Sequence, residues 1–466
     1  MPTRLPQRLI LSVLAASLLL GGCANLAPKY EVPAVDTPIA FKEGRGAWVV
    51  AAPADTLQRG PWWELFDDPV LGGLVAQVEV NNQNVAAAVA AYAQARALTR
   101  EQRASLFPQV NLNAGGNRGG GGGQPTARTY QVGIGLGWEP DVFGRLGLAV
   151  QGARSGEQAA QADLAAATLA AQGELATAYF GLREADVLRR LQTETIAGLR
   201  RALQITQNRY AAGVVARTDV LQAESQLANA EADLLTLEQQ RATFEHAIAV
   251  LVGKAPANFS LAADPKWTVS VPLIPPEVPS TLLQRRPDIA AAERRVEQAN
   301  GQVGIQRAGY FPSFNLTGSL GLSAASIGEL FSGALVWAMG ASVAQMLFDG
   351  GATTARVDQA KAALEEAAAR YRQTVLAAFQ DVEDQLVALR ILSEQQVLRL
   401  QASRAADLVE QQVLNRYQAG QVNYTEVITA QSNAAAARRA LVQAQIDRQV
   451  AAVALIQALG GGWRGL

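Results

Sequence analysis

One cysteine, one histidine and three methionines stand in 466 residues. A disulfide framework is therefore excluded, and so is any zinc or copper centre that needs clustered sulfur and imidazole. His246, the single histidine, lies in an apolar helical stretch with no ligand-type residue one turn away. An excess of one charge is also lacking: 40 Lys and Arg face 41 Asp and Glu, a net −1. Such a balance names neither nucleic acid nor an acidic surface as partner. No nucleophile, base and orienting group occur in a catalytic pattern, so no enzyme and no cofactor are expected. The glycine run Gly119 to Gly123 is followed by no P-loop lysine, and it is read as a mobile loop. Beyond the first twenty residues no apolar stretch reaches the ~18 residues of a membrane-spanning helix, so any passage through a bilayer must use strands.

What is present begins with a targeting pattern. Arg4 and Arg8, an apolar run from Leu9 to Leu20, and Gly21-Gly22-Cys23 read as a secretory signal over residues 1–22. Its removal takes the formal charge from −1 to −3. The small-small-Cys ending is similar to a lipobox, which makes Cys23 the acylated residue and a covalent lipid the only group carried. Several acyl chains anchor stably, at ~0.8 kcal/mol per buried methylene, where one would not.

The chain also says one thing twice. Phe107-Pro108-Gln109-Val110-Asn111-Leu112 returns as Phe311-Pro312-Ser313-Phe314-Asn315-Leu316, and Asn208-Arg209-Tyr210-Ala211-Ala212-Gly213 returns as Asn415-Arg416-Tyr417-Gln418-Ala419-Gly420. Offsets of 204 and 207 residues make this a tandem duplication. Each unit reads helix, strand, loop, strand, very long helix, tight turn, helix. The first repeat spans 62–252, with strands near 109–117 and 129–139, a long helix near 145–210 and a tip turn at 211–217. The second spans 281–458, with strands near 313–322 and 335–347, a long helix near 351–417 and a turn at 418–423. Residues 23–61 form an extended strap, 253–280 an equatorial linker and 459–466 a tail. At 1.5 Å per residue such a helix reaches ~100 Å. Val375, Phe379, Val382, Leu386 and Leu389 step by alternating fours and threes, which is coiled-coil spacing.

The strands alternate strictly. Tyr130, Val132, Ile134, Leu136 and Trp138 are interleaved with Gln131, Gly133, Gly135 and Gly137, and Phe314, Leu316, Leu320 and Leu322 and then Trp337, Met339, Ala341 and Val343 follow suit. A soluble half-buried sheet and a lipid-facing barrel both produce that alternation. Closure decides between them, because four strands cannot close and an open edge cannot sit in hydrocarbon. Barrels of this type begin near eight strands, so several copies must each give four, and three copies make a 12-stranded pore. Tyr130, Trp138, Phe314 and Trp337 would then face lipid.

Trp62-Trp63-Glu64-Leu65-Phe66-Asp67-Asp68-Pro69, the stretch Leu282-Leu283-Gln284-Arg285-Arg286-Pro287-Asp288 through Phe311-Pro312, and the paired Arg-Tyr-x-x-Gly turns together resemble the outer-membrane factor family. These are the TolC-like exit ducts, and the likeness is to their lipoprotein branch around OprM and NodT. The resemblance covers essentially the whole mature chain. It implies a homotrimer with a barrel in outer-membrane lipid and a helical periplasmic tunnel, mainly α in content. An adaptor (membrane fusion) protein would join it to an inner-membrane pump of the resistance-nodulation-division class. A type I secretion system uses the same kind of duct and stays open as an alternative. A trimeric adhesin is disfavoured, since its anchor strands lie together at the C-terminus.

Within that frame the two turns lie at the periplasmic tip. Gly213 and Gly420 supply the positive φ of a tight turn, and Ala212, Val214, Val215, Ala419 and Gln421 beside them would grip the adaptor. Asp219 and Glu426, at matching places, would ring the aperture with carboxylates, with Tyr210, Tyr417 and Arg217 as further gate residues. Helix capping explains Asp219 equally well. Val422 and Asn423 stand where the family has a basic gate residue, which leaves Arg217, Arg209 and Arg416 as the candidate cations.

Overall fold

The computed structural model describes residues 26–43, 61–122, 124–272 and 286–461. The signal segment 1–22, the proposed lipidation residue Cys23, Leu282 to Arg285 and parts of the strap, the linker and the tail lie outside the described residues. A 3-10 turn at Trp62–Phe66 leads into α1 (Pro69–Asn81) and α2 (Gln83–Ala104). Then come β1 (Gln109–Gly121), β2 (Gln124–Trp138), α3 (Arg145–Ala211) and α4 (Arg217–Leu251). The second half holds α5 (Pro287–Arg307), β3 (Ser313–Ala324), β4 (Ala334–Ala344), α6 (Ala352–Gln418) and α7 (Tyr424–Ala458).

The duplication is one of elements as well as motifs. α3 and α6 have 67 residues each, and α4 and α7 have 35 each. Each second copy begins 207 residues after the first. The opening helix of the first repeat departs from the expectation by breaking at Asn82. There the side-chain oxygen accepts from the amides of Asn84 and Val85 at 2.9 and 3.1 Å, capping α2, while Nδ2 donates to the Leu251 carbonyl at 2.9 Å.

The chain divides into two compact units, residues 1–35, 90–161 and 291–374, and residues 36–89, 162–290 and 375–466. The first contains one antiparallel sheet in the order β1-β2-β3-β4. Its register sorts the side chains by face. Val110, Leu136, Gly318 and Met339 form one cross-strand row, and Leu112, Ile134, Leu320 and Trp337 form the next. Asn111, Gly135, Ser319 and Ala338 form a row of the opposite parity. One face is therefore apolar and the other small and polar, and Tyr130, Trp138, Phe314 and Trp337 all share the apolar face. On the small face Gly133 and Gly321 meet so closely that a Cβ on Gly133 would lie 2.8 Å from the Gly321 Cα, which only glycine permits.

Two expectations are corrected here. Arg118 to Gly121 and Gln124 to Arg128 are ladder and not a mobile loop: Arg118 pairs with Arg128, Gly119 with Ala127 and Gly121 with Gln124. Backbone hydrogen bonds need no side-chain alternation, so the glycine run hid the strand. Conversely β4 ends at Ala344 and not at residue 347, and Met346 and Leu347 are exposed beyond the ladder although their apolar pattern continues. The β3–β4 connection carries a 3-10 turn, Ile327–Ser332. In the same unit the strap is held against α5 by Asn300 Nδ2 donating to the Pro28 carbonyl at 2.9 Å, and Leu26 packs with Leu148 of α3 and with Ala308 just beyond α5.

The second unit has the main core. Leu71, Leu74, Val75 and Val78 of α1, at i, i+3, i+4 and i+7, close with Trp62 and Phe66 over Leu175, Tyr179 and Phe180 of α3, Ile248 of α4 and Val453 of α7. Val375 and Val382 on α6 are fully buried, as their spacing predicted, with Phe379 nearly so. The linker is clamped by a buried ionic cluster. Asp186 accepts from Arg183 at 3.0 Å, Arg241 at 2.8 Å and the Asp264 amide at 3.0 Å. The two arginines in turn donate to the carbonyls of Ala262 and Leu261 at 2.9 and 2.6 Å. Asp68 completes the clamp by accepting from Tyr179 Oη at 2.7 Å and Trp267 Nε1 at 3.1 Å.

Candidate functional site

Both helical hairpins turn by the same device. Gly213, at φ +74°, donates to the Tyr210 carbonyl at 2.9 Å while Val214 donates to Arg209 at 2.9 Å. Gly420, also at +74°, donates to Tyr417 at 3.0 Å while Gln421 donates to Arg416 at 2.9 Å. This 6→1 and 5→2 pair is a Schellman motif, and its left-handed position demands the glycine found in each repeat. Ala212, Gly213, Val214, Ala419, Gly420 and Gln421 are exposed around the turns, and Val215 is half-buried.

The helices that leave the turns start differently. α7 is capped by Asn423, whose side chain accepts from the Glu426 amide at 3.0 Å, whereas α4 starts after Ala216 with no side-chain cap. Asp219 and Glu426 both occupy the third position of their helix, where a carboxylate is favoured by the helix dipole. Among the described residues neither acid is ion-paired, and Arg217 and Arg416 are likewise free of salt bridges. The matching acids are thus held at equivalent helix starts with no salt-bridge partner among the described residues.

The two tyrosines diverge. Tyr417 is buried at 1 % exposure, while its duplicate Tyr210 is 45 % exposed. The Tyr417 hydroxyl shares a hydrogen bond with Thr206 Oγ1 at 3.0 Å, the Arg209 guanidinium lies 4.6 Å from its ring centroid, and Arg209 Nη1 donates to its carbonyl at 2.5 Å. Of the three candidate arginines, Arg209 is therefore the one that reaches a proposed gate residue, and it reaches Tyr417 from the other repeat. Tyr417 itself belongs to the cluster that joins the hairpins, with Ala202, Ala223, Tyr424 and Val427, and not to an exposed aperture. Tyr424 stands where the first repeat has Arg217. Its hydroxyl is buried without a partner, and burial, then Tyr417 and Asp219, push its pKa up to about 12. Thr206 and Tyr424 were not picked out in the sequence, and the only signal for Tyr424 was an aromatic residue at a helix start where its duplicate is charged.

His246 is exposed on α4, and among the described residues no group of three or more His, Cys, Asp or Glu could hold a metal ion. No helix among the described residues is long and apolar enough to cross a membrane. That says nothing of the sheet.

Comparison with known proteins joins these features. A family model described as "Outer membrane efflux protein" matches residues 74–254 and again residues 278–461, one match per repeat. This chain belongs to the outer membrane efflux protein family. It is 32 % identical to the outer membrane protein OprJ of Pseudomonas aeruginosa over 464 residues, 97 % of this chain and 95 % of that protein. The probable outer membrane lipoprotein SilC of Salmonella typhimurium is 27 % identical over 459 residues, 98 % and 99 % of the two chains. The solved outer-membrane channel OprN superposes with a TM-score of 0.85 at 30 % identity, over 94 % of this chain and 99 % of that one. The family member described here is accordingly an outer-membrane protein and an efflux exit duct, and its relatives are channel and efflux proteins and not enzymes.

Proposed function

We propose that three copies of this chain form a passive duct, closing a 12-stranded barrel in the outer membrane and continuing into the periplasm as a helical tunnel that receives substrate from an adaptor protein and an inner-membrane pump. The observation that carries this reading is the sheet. It has one apolar face, four strands and two outer edges, β1 and β4, that find no partner among the described residues of the chain. An open edge in hydrocarbon leaves backbone donors and acceptors unsatisfied at several kcal/mol each, so the sheet must be closed by further copies. The apolar face, with Tyr130, Trp138, Phe314 and Trp337, would lie against lipid, and Cys23 would anchor the chain to it.

The tips are the proposed gate and adaptor dock. Asp219 and Glu426, unpaired in one chain, would stand in two carboxylate rings about the threefold axis, with Arg217 and Tyr210 near them. The exposed turn residues Ala212 to Val215 and Ala419 to Gln421 would receive the adaptor. The substrates would be toxic small molecules such as drugs, in keeping with the efflux relatives, and the pump one of the resistance-nodulation-division class.

The test is single-channel conductance in planar bilayers, beside the variant Asp219→Ala with Glu426→Ala. A small cation-selective conductance that rises and loses selectivity in the variant is expected. Unchanged conductance removes the gate assignment, and no conductance from a folded trimer refutes the duct.

A further inference from the structure

The junction that follows β2 is seated on the entrance to the neighbouring strand. Phe143 has its ring centroid 4.9 Å from that of Phe311 and 6.3 Å from that of Phe314, the residues that lead into and begin β3. The ring also packs against the small core of Leu26, Leu148 and Ala308. Aromatic contacts of this kind add to the burial of the rings themselves.

The duplication should provide a second such contact, and each half of it stands empty. Phe107 and Val110 are the duplicates of Phe311 and Phe314, at the entrance to β1, and they are 66 % and 64 % exposed. The junction after β4 carries Met346, Leu347 and Phe348, which are 63, 92 and 87 % exposed. Both groups lie at the same end of the sheet, since Gln109 pairs with Gly137 and Ser313 pairs with Ala344. They sit on opposite edges, however, and cannot meet within one chain. The two junctions share their build. Each has a positive-φ glycine before its long helix, Gly144 and Gly351, and an aspartate that accepts from that helix's first amides, Asp141 and Asp349. The phenylalanine lies one residue ahead of the glycine in the first and three ahead in the second, so the junctions match and the individual residues do not.

We infer that Phe348 seats on Phe107 of the partner subunit, and Leu347 beside Val110 of the partner subunit, repeating between copies the contact that Phe143 makes inside each one. The inference rests on the duct reading, because only pairing of β4 with β1 of the next copy brings the two exposed groups together. A head-to-tail contact of this kind closes into a ring. Pairing of backbone edges alone leaves register weakly specified, and an aromatic seat at the foot of the strands fixes it.

The test places Phe107→Cys and Phe348→Cys together in the full-length chain, treats outer membranes with a short bismaleimide, and separates the products under denaturing conditions. Covalent dimers and trimers are expected from the double variant and none from either single variant, while Phe143→Cys with Phe311→Cys bridges only within a chain. The pair Val110→Cys with Leu347→Cys serves should the first assemble poorly. Trimer mass in mild detergent with no ladder from either pair overturns the contact and spares the trimer. A monomer mass for the unaltered protein refutes the assembly, and this contact with it.

Discussion

Asp186 is the anion at the centre of the buried ionic cluster that clamps the linker. Its side chain is wholly buried, and it gathers two guanidinium donors and one amide. Removing one partner of a buried ion pair costs ~3–5 kcal/mol, because the remaining charge is left uncompensated. Here the low end applies. After Asp186→Ala, Arg183 keeps Tyr179 and the Ala262 carbonyl, while Arg241 keeps Glu245 and the Leu261 carbonyl. The damage should concentrate on the linker, whose docking depends on those carbonyls and on the Asp264 amide. Hydrogen exchange at the Leu261 and Trp267 amides reads it without relying on reversible unfolding. Both are hydrogen-bonded in the docked linker, to Glu245 at 2.7 Å and to the Asp264 carbonyl at 3.2 Å, and neither bonds Asp186 itself. A loss of ~3 kcal/mol corresponds to roughly 100-fold faster exchange, at 1.4 kcal/mol per factor of ten. Asp186→Asn keeps the shape and one acceptor and should give a smaller increase. Exchange within about fivefold of the unaltered protein in both variants would refute the clamp.

The turn glycines make a smaller, sharper prediction. Gly213→Ala meets open space, so the cost is backbone strain alone, ~1 kcal/mol, read as a lower thermal midpoint; a D-alanine at the same place should cost nothing. Glu184 responds to pH. Burial, and then the nearby Asp447, raise its pKa from 4.5 to about 7, so the folded chain holds a proton that the unfolded chain has released between those values. Its contribution to stability therefore falls as pH rises from 4.5 to about 7 and stays unfavourable above that. Glu184→Gln should raise the melting temperature at pH 8 and leave it unchanged at pH 4, and a gain of equal size at both would refute the assignment.

The sequence made the repeat visible because duplication leaves motifs at fixed offsets, and the long helices then begin and end in step. The alternating strands were legible for the same kind of reason, their two faces meeting different surroundings. What escaped was structure that pattern does not carry. The extension of β1 through Gly119 and Gly121 is held by backbone pairing, and the break at Asn82 by one side chain reaching the Leu251 carbonyl. The aspartate clamp draws its members from the N-cap of α1, from α3 and α4 and from the linker, so no local window contains it. At the tips the turns and the acids were readable, but the exposure of each tyrosine was not, since Tyr210 and Tyr417 sit in nearly identical sequence.

That last difference bears on how a duplicated chain can work. If the two hairpins were interchangeable, each tyrosine would be equally buried, and each helix after the turn would begin alike. Instead Tyr417 and Tyr424 are buried together in the cluster between the hairpins, where the first repeat supplies Ala202 and Ala223, and Thr206 and Arg209 bond Tyr417. The joint between the hairpins therefore uses different residues from each repeat, which lets one duplicate keep its ring and arginine exposed for other contacts. Arg217 and Tyr210 are exposed on the first tip, whereas their duplicates Tyr424 and Tyr417 are buried in packing on the second. The difference does not come from a missing set of neighbours, since Tyr417, Val427 and Ala223 of the cluster around Tyr424 have Tyr210, Val220 and Ala430 as their duplicates, and it lies instead in Arg217 standing where the second repeat has Tyr424. Symmetry in sequence is converted here into two tips that share an exposed glycine turn but differ in the helix starts beside it, an arginine exposed on the first and a tyrosine buried on the second.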